Sequence, residues 1–336
     1  MAETIKVKKN PTNDLEYITI KRDGRQFTTV NYGARLTSFC VPDCHGKLTD
    51  IVLGFDFDED LLKDKACFGA TVGPVAGRIK NGSWDTHHFS KGENGHTLHS
   101  GESGWQNRVW ESIVIEKSDY VGVSYRLVDK KAVGFDSDFD AKIDYLLYDE
   151  GRLEMVYHVK PSARTLLNPT NHSYFNLSGN GIETIGTHYL TIGANQVLVT
   201  DKDLIPTGEL KAVGGTPYDF TRPRLLGESL EHLETGLDTT FVLNEEVDGS
   251  NLSLFHSQTG IELTIDTDRK ALVVYSSGGM AETAVMNGYP MKEYRGLAIE
   301  PQEHPDACHH EDFPSIIVEK NQEKIYRTTY RANVRK

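Results

Sequence analysis

The chain has 336 residues, of which 38% are hydrophobic and 25% charged, as is usual for a globular protein with a substantial core. Acidic residues outnumber basic ones by 49 to 36, and the resulting net charge of −13 repels phosphate backbones and anionic lipid. The composition therefore argues against a nucleic-acid partner and against a membrane-surface partner. No apolar run approaches the roughly 18 residues needed to span a bilayer.

The first fourteen residues are polar and lack the apolar centre of a secretory signal. Four cysteines are few for a secreted scaffold and are typical of a compartment that keeps thiols reduced. We therefore expect a cytoplasmic protein. The sequence leaves open whether it is a monomer or a homodimer.

Apolar and polar residues alternate with a period of two in runs along the whole chain, and β-branched and aromatic residues dominate these runs. Asp23-Gly24 and Asp149-Glu150-Gly151 each separate two such runs, which predicts two hairpins. The runs cover residues 17–20, 27–30, 143–147, 153–159, 261–265, 272–275 and 325–330. Helical signals are limited to residues 58–65 and 225–233, and both segments are short. The pattern predicts one all-β domain over residues 1–336, an antiparallel sandwich or barrel.

The densest polar motif is Asn168-Pro169-Thr170-Asn171-His172-Ser173-Tyr174-Phe175-Asn176-Leu177. Pro169 fixes its own φ and favours an extended Asn168. The residues that follow are predicted to form a strand whose polar side chains share one face. His172 has the ordinary pKa closest to neutrality, so it can donate or accept a proton. The alternative is a buried polar network that only holds the chain in place.

Four further side chains are candidates for chemistry, each with an ordinary structural alternative. Arg78 follows a glycine-punctuated loop and offers paired donors, although a surface arginine would fit there too. His99 lies in a glycine-rich loop, where a solvated histidine is common. Asp238 stands at a predicted strand entrance, where a carboxylate usually caps a turn. Glu300 follows the apolar run 297–299, where burial should raise its pKa towards that of a general base; the alternative is a glutamate paired with an arginine.

Residues 303–312 are rich in Glu, His, Cys and Asp, the side chains that bind metals. Pro305 favours a loop over the helix that carries paired zinc ligands. Cys40 and Cys44 lack a second Cys/His pair at standard spacing. We therefore expect no functional metal.

Taken together and in order, these motifs resemble those of the aldose 1-epimerase (galactose mutarotase) family over nearly the whole chain. The strongest matches are the motif at 168–177 and Glu300-Pro301-Gln302, which Pro305-Asp306-Ala307 follows. The resemblance implies a large antiparallel β-sandwich with an open cleft. It also implies interconversion of the α and β anomers of a free sugar, such as galactose or glucose, without a cofactor.

By this resemblance Glu300 is expected to be the general base and His172 the general acid. Arg78, His99 and Asp238 match positions that hold sugar hydroxyls. Ring opening of a hemiacetal requires removal of the O1 proton and protonation of the ring oxygen, which a carboxylate and an imidazolium can do together. The expected partner is therefore a small sugar.

The chain departs from the family pattern at Gly77, where Asn is usual, at Ser100, where Gly is usual, and at Thr239, where His is frequent. These positions bear on substrate preference, because the family includes members that act on other sugars or on disaccharides such as maltose. Three other hypotheses remain: a glycoside hydrolase using Asp238 and Glu300, a non-catalytic sugar-binding sandwich, and a phosphosugar epimerase. The last would need a cluster of Arg and Lys near the motifs, which the sequence lacks.

Overall fold

The computed structural model describes residues 4–92, 94–130, 132–179, 183–246, 249–280 and 284–335. Within this part of the chain, strands make up nearly all of the regular structure. The first fifteen are β1 (Thr4–Lys9), β2 (Glu16–Arg22), β3 (Arg25–Val30), β4 (Arg35–Pro42), β5 (Leu48–Asp50), β6 (Thr71–Val72), β7 (Arg78–Ile79), β8 (Ser83–Trp84), β9 (His87–His88), β10 (Thr97–Leu98), β11 (Glu111–Glu116), β12 (Tyr120–Asp129), β13 (Phe139–Tyr148), β14 (Arg152–Pro161) and β15 (Thr165–Leu166). The others are β16 (Thr170–Asn171), β17 (Tyr174–Phe175), β18 (His188–Ile192), β19 (Gln196–Thr200), β20 (Pro206–Ala212), β21 (Arg224–Leu225), β22 (Asp238–Val242), β23 (Leu252–His256), β24 (Ile261–Thr267), β25 (Ala271–Tyr275), β26 (Val285–Met286), β27 (Tyr289–Pro290), β28 (Leu297–Gln302), β29 (Ile317–Val318) and β30 (Lys324–Val334).

Three antiparallel sheets contain the longer strands. Their strand orders are β1-β2-β3-β4-β5, β11-β12-β13-β14-β30-β24-β23-β18-β21 and β17-β28-β25-β22-β19-β20. Alternate side chains of all three sheets meet in one buried apolar cluster, as the period of two requires. Its members include Ile18, Phe27, Val123, Tyr145, Met155, Phe241, Leu272 and Ile299. The predicted all-β antiparallel sandwich is therefore confirmed, whereas the prediction of one domain over residues 1–336 stays a prediction.

The two predicted hairpins, which have turn-forming residues between their strands, are present in the structure. The hairpin around Asp23-Gly24 forms between β2 and β3, and that around residues 149–151 forms between β13 and β14. Both predicted helices are present but shorter, as α1 (Asp58–Lys63) and α2 (Leu226–Leu230). The first ends early because the carboxylate of Asp64 accepts the backbone N–H groups of Ala66 and Phe68, at 2.8 and 2.9 Å, and turns the chain. Neither helix has the length and apolarity that crossing a membrane would require within the described residues.

The motif at 168–177 is not one strand, so that prediction was wrong. Two short strands, β16 and β17, pair with β6 and β28 respectively, and His172 lies in the break between them. The Oδ1 atom of Asn171 accepts the backbone N–H of Ser173 at 3.1 Å, and this local turn competes with strand pairing. The Nδ2 atom of Asn171 donates to the Gly69 carbonyl at 2.8 Å, whereas the side chain of His172 lies against Glu300. The polar side chains of the motif therefore do not share one face.

The six-stranded sheet positions the carboxylates of the candidate site. Glu300 lies in β28 directly opposite Val273 in the middle of β25, and Asp238 begins β22 opposite Tyr275, the last residue of β25. Three neighbouring central strands therefore present both carboxylates to one cleft. Loops that pack over this part of the sheet complete its walls.

Candidate active site

One cavity of about 310 Å³ brings together all five side chains that the sequence singled out. Arg78 comes from β7, His99 from the loop after β10, His172 from the break between β16 and β17, Asp238 from β22 and Glu300 from β28. Cavities for small ligands span roughly 300–1,000 Å³. The cleft is therefore of a size suited to a single sugar ring.

Glu300 and His172 form the buried centre of this cleft, with exposed fractions of 2% and 5%. The Nε2 atom of His172 lies 3.3 Å from the Oε1 atom of Glu300. The imidazole stacks on the ring of Tyr174 at a centroid distance of 5.0 Å, and the ring of His99 packs edge-on at 5.5 Å. These contacts fix the plane of the His172 ring with Nε2 next to the carboxylate.

The main chain of His172 is fixed as well. Its N–H donates to the carbonyl of Ala70 and its own carbonyl accepts the N–H of Gly69, both at 2.9 Å. The loop before Gly69 is anchored by an ion pair between Asp64 and the fully buried Arg35. The position of the imidazole therefore depends on a buried ion pair outside the cleft.

Burial displaces the pKa of each central group in the direction that favours its neutral form. The pKa of His172 falls to about 4, chiefly because the ring is buried. The pKa of Glu300 is raised well above its ordinary value, first by burial and then by the negative charge of Asp238, while Arg78 opposes the rise. Burial also raises the pKa of Asp238, again against the effect of Arg78.

The pair can hold one proton in two arrangements of equal total charge. One is imidazolium with carboxylate, and the other is neutral imidazole with carboxylic acid. A ligand that offers a hydroxyl beside a second oxygen can convert one arrangement into the other, because Glu300 takes the hydroxyl proton while His172 gives a proton to the other oxygen. The two groups titrate as a coupled pair, and this conversion exchanges no proton with solvent.

Arg78, His99 and Asp238 surround this pair. His99 has a φ of 51°, and its Nδ1 atom accepts the N–H of Gly77 at 3.2 Å. The acceptor role of Nδ1 places the proton of a neutral ring on Nε2. The pKa of His99 is held well below its ordinary value by burial, by His172 and by Arg78, so the ring is neutral. The three side chains together offer N–H donors and a carboxylate acceptor, a combination suited to sugar hydroxyls.

Other polar residues of the 168–177 motif serve the scaffold. The Oδ1 atom of Asn168 accepts the backbone N–H of Glu303 at 2.8 Å, and the Thr170 hydroxyl donates to the carbonyl of Pro301 at 2.9 Å. Both bonds hold the backbone that directly follows Glu300. The structural interpretation of the motif is therefore right for these residues, whereas His172 contacts Glu300 and Tyr174 also lines the cleft.

Sequence reasoning did not assign several further cleft residues, which are Cys67, Thr240, Val273, Tyr275, Met280 and Gln302. The Nε2 atom of Gln302 lies 3.5 Å from the Oε2 atom of Glu300. Their spacing of two residues on one strand places both on the same face, a signal that the sequence does contain. The half-buried ring of Tyr275 is an aromatic surface of the kind that packs against sugars, but only the pairing of β22 with β25 brings it here.

Two groups of side chains have ligand atoms within 4.8 Å of one another and could hold a metal ion. One is His99, His172 and Glu300 in the cleft, and the other is Asp306, Cys308 and His309 in the loop after β28. The second group lies in the segment 303–312 that its composition had marked out. The prediction that the chain uses no functional metal stays a prediction.

Comparisons with known proteins agree with the geometry. The model of the aldose 1-epimerase family matches residues 16–331. Galactose mutarotase of Bos taurus is 31% identical, over 95% of this chain and 94% of its own length. Maltose epimerase of Levilactobacillus brevis is 27% identical over 94% of each chain. The crystal structure of an aldose epimerase homologue from C. elegans superposes with a TM-score of 0.85 at 28% identity, covering 100% of both chains. The chain is therefore a member of the aldose 1-epimerase family and an isomerase.

Proposed function

We propose that the protein interconverts the α and β anomers of free aldohexoses, galactose and glucose, by acid–base opening and reclosure of the sugar ring. The observation that carries this proposal is the 3.3 Å separation between His172 Nε2 and Glu300 Oε1 within a cleft the size of one sugar ring. The similarity to a galactose mutarotase supports galactose as a substrate.

The proposed reaction uses the central pair in both directions. Glu300 removes the proton from the anomeric O1 while His172 protonates the ring oxygen, so that the C1–O5 bond breaks and an open-chain aldehyde forms. Rotation about C1–C2 presents the other carbonyl face to the O5 hydroxyl. Attack on that face returns the O5 proton to His172, and Glu300 returns its proton to O1. Every proton is restored, so nothing is consumed.

The surrounding polar groups are proposed to hold the sugar during this cycle. Arg78 and His99 offer donors to the remaining hydroxyls, and Asp238 offers an acceptor. They would keep the open chain from leaving while C1–C2 rotates. Arg78 also favours the ionised form of Glu300, which is the form that starts the reaction.

Polarimetry of freshly dissolved α-D-galactose, α-D-glucose and maltose, with and without the protein, tests this function. We expect a faster approach to the same final rotation for galactose and glucose. A folded sample that leaves all three sugars at the buffer rate would refute the proposal.

A disaccharide such as maltose is the second candidate substrate. A further cavity of about 350 Å³ adjoins the cleft and shares Lys65, Ala66 and Met280 with it. Aromatic and aliphatic side chains, including Phe55 and Phe68, line this second cavity and offer a surface for the apolar face of a second sugar ring. If both cavities are used, kcat/KM for maltose will equal or exceed that for glucose in the same assay.

A further inference from the structure

We propose that the loop after β28 carries a second site, separate from the sugar cleft, which binds a divalent cation of the zinc class through Asp306, Cys308 and His309. None of the three side chains has a part in the proposed acid–base reaction. A thiolate sulfur, an imidazole nitrogen and a carboxylate oxygen are the ligands that Zn²⁺ prefers in proteins.

A single 3₁₀ turn, Ala307–His309, brings these side chains together. The Sγ atom of Cys308 lies 3.6 Å from the Nδ1 atom of His309, which lies 2.6 Å from the Oδ1 atom of Asp306. A tetrahedral zinc ion with bonds of about 2.0–2.3 Å holds its ligands roughly 3.3–3.7 Å apart. Cys308 and His309 therefore already have the spacing that zinc requires, whereas the shorter contact between His309 and Asp306 is a hydrogen bond that coordination would replace.

The second carboxylate oxygen of Asp306 supplies independent support. Asp306 is 1% exposed, and among the described residues its Oδ2 atom has no hydrogen-bond partner. The Nε2 atom of His310 is 3.9 Å from this oxygen but donates instead to the carbonyl of Pro206, at 3.1 Å. Leaving a buried carboxylate oxygen unpaired is costly, and a bound cation would satisfy it. The other oxygen accepts the backbone N–H of Lys80 at 2.8 Å, which holds the carboxylate in place.

The site is open to solvent on one side. Cys308 and His309 are partly exposed, so an ion can enter and water can take the fourth position. The proposed binding releases the thiol proton of Cys308 to solvent. The Nδ1 proton of His309 goes to solvent when the ring is imidazolium and moves to Nε2 when the ring is neutral. The site thus differs from the cleft in both its ligands and its entrance.

Titration of the full-length protein with Co²⁺ in metal-free buffer tests the proposal. We expect one equivalent to give ligand-field bands in the visible region and a thiolate-to-cobalt charge-transfer band in the near ultraviolet, and Zn²⁺ to erase both. Cys308→Ser should remove the charge-transfer band, and His309→Ala should weaken binding at least tenfold. Cys44→Ser and His45→Ala are matched controls, because Asp43-Cys44-His45 is a similar trio at another turn, and both should keep the wild-type signal.

Three results would overturn this proposal: no binding at stoichiometric Co²⁺, a charge-transfer band that survives in Cys308→Ser, or binding that Glu300→Gln abolishes while Cys308→Ser does not. The last result would place the ion in the sugar cleft instead. Circular dichroism checks that each variant is folded, and excess Zn²⁺ should raise the Tm of the wild type but not that of Cys308→Ser. These readouts do not depend on sugar turnover, so they remain decisive if the proposed function fails.

Discussion

The substitution Glu300→Gln removes the proposed base while keeping its shape. General-base catalysis contributes about 10²–10⁴-fold to a rate, so we expect kcat to fall by that factor, which corresponds to about 2.7–5.4 kcal/mol in the barrier. The amide can still accept a hydrogen bond at the 2% exposed position of Glu300, and sugar binding should therefore survive. Polarimetry with α-D-galactose gives the rate, and isothermal titration gives the binding constant.

The same substitution has a second, thermodynamic consequence. The folded-state pKa of Glu300 is raised, so its protonated form contributes stability that is complete below the ordinary pKa of 4.5 and is lost as the pH rises through the folded-state value. Glutamine cannot ionise and has no such loss. The difference in Tm between Glu300→Gln and the wild type should therefore grow in favour of the variant as the pH rises above 4.5.

Glu319→Gln is the matched control, because Glu319 is an exposed glutamate that pairs at 3.4 Å with the half-exposed Arg164. It should leave both the rate and the pH dependence of stability unchanged. Wild-type turnover in a folded Glu300→Gln protein would refute the assignment of the base. A Tm difference that stays constant with pH would refute the inference that burial raises the pKa of Glu300.

Three further outcomes are expected. The pH profile of kcat/KM should be bell-shaped. Activity is lost in acid when the pair takes a second proton as His172 titrates near its pKa of about 4, and in alkali when Glu300 loses the shared proton at its raised pKa. A flat profile from acid to alkali would contradict this. Asp238→Asn should lower kcat/KM about 10–150-fold through the loss of a charged hydrogen bond to the sugar. It should also shift the alkaline limb of the pH profile to lower pH, because Asp238 raises the pKa of Glu300. An alkaline limb that does not move would refute this electrostatic effect of Asp238 on Glu300. Asp64→Asn leaves Arg35 buried without its ion partner and should cost about 3–5 kcal/mol in the free energy of unfolding, measured with urea; a loss below 1 kcal/mol would contradict it.

The sequence predicts those parts of the fold in which local chemistry decides the outcome. Asp23-Gly24 between two alternating runs is a strong local signal for a hairpin, and β2 and β3 pair as expected. Partners that are distant in sequence are different, because a period of two shows which face is buried but not which strand lies alongside. β24 and β25 follow one another after a short turn, yet they belong to different sheets. No pattern within either strand encodes that separation.

The candidate site shows the same division. Residue types and their order were sufficient to single out His172 and Glu300, which lie 3.3 Å apart. The backbone around His172 was predicted wrongly, because the side chain of Asn171 turns the chain by bonding to it and that competition is invisible to a hydrophobic pattern. Tyr275 could not have been placed in the cleft, since its position depends on strand register.

Opposing electrostatic effects in the cleft suit a reaction that must run equally well in both directions. Burial of both groups and the charge of Asp238 favour neutral imidazole with carboxylic acid, which is the arrangement expected while the sugar is open. Arg78 favours the ionised Glu300 that is needed while the ring is closed. Because the two arrangements carry the same total charge, each ring opening moves charge only within the cleft and needs little reorganisation of surrounding water. If either the protonated or the ionised form of Glu300 were strongly stabilised, ring opening or ring closure would be slowed. The balance between Asp238 and Arg78 therefore matters as much to the proposed turnover as the distance between Glu300 and His172.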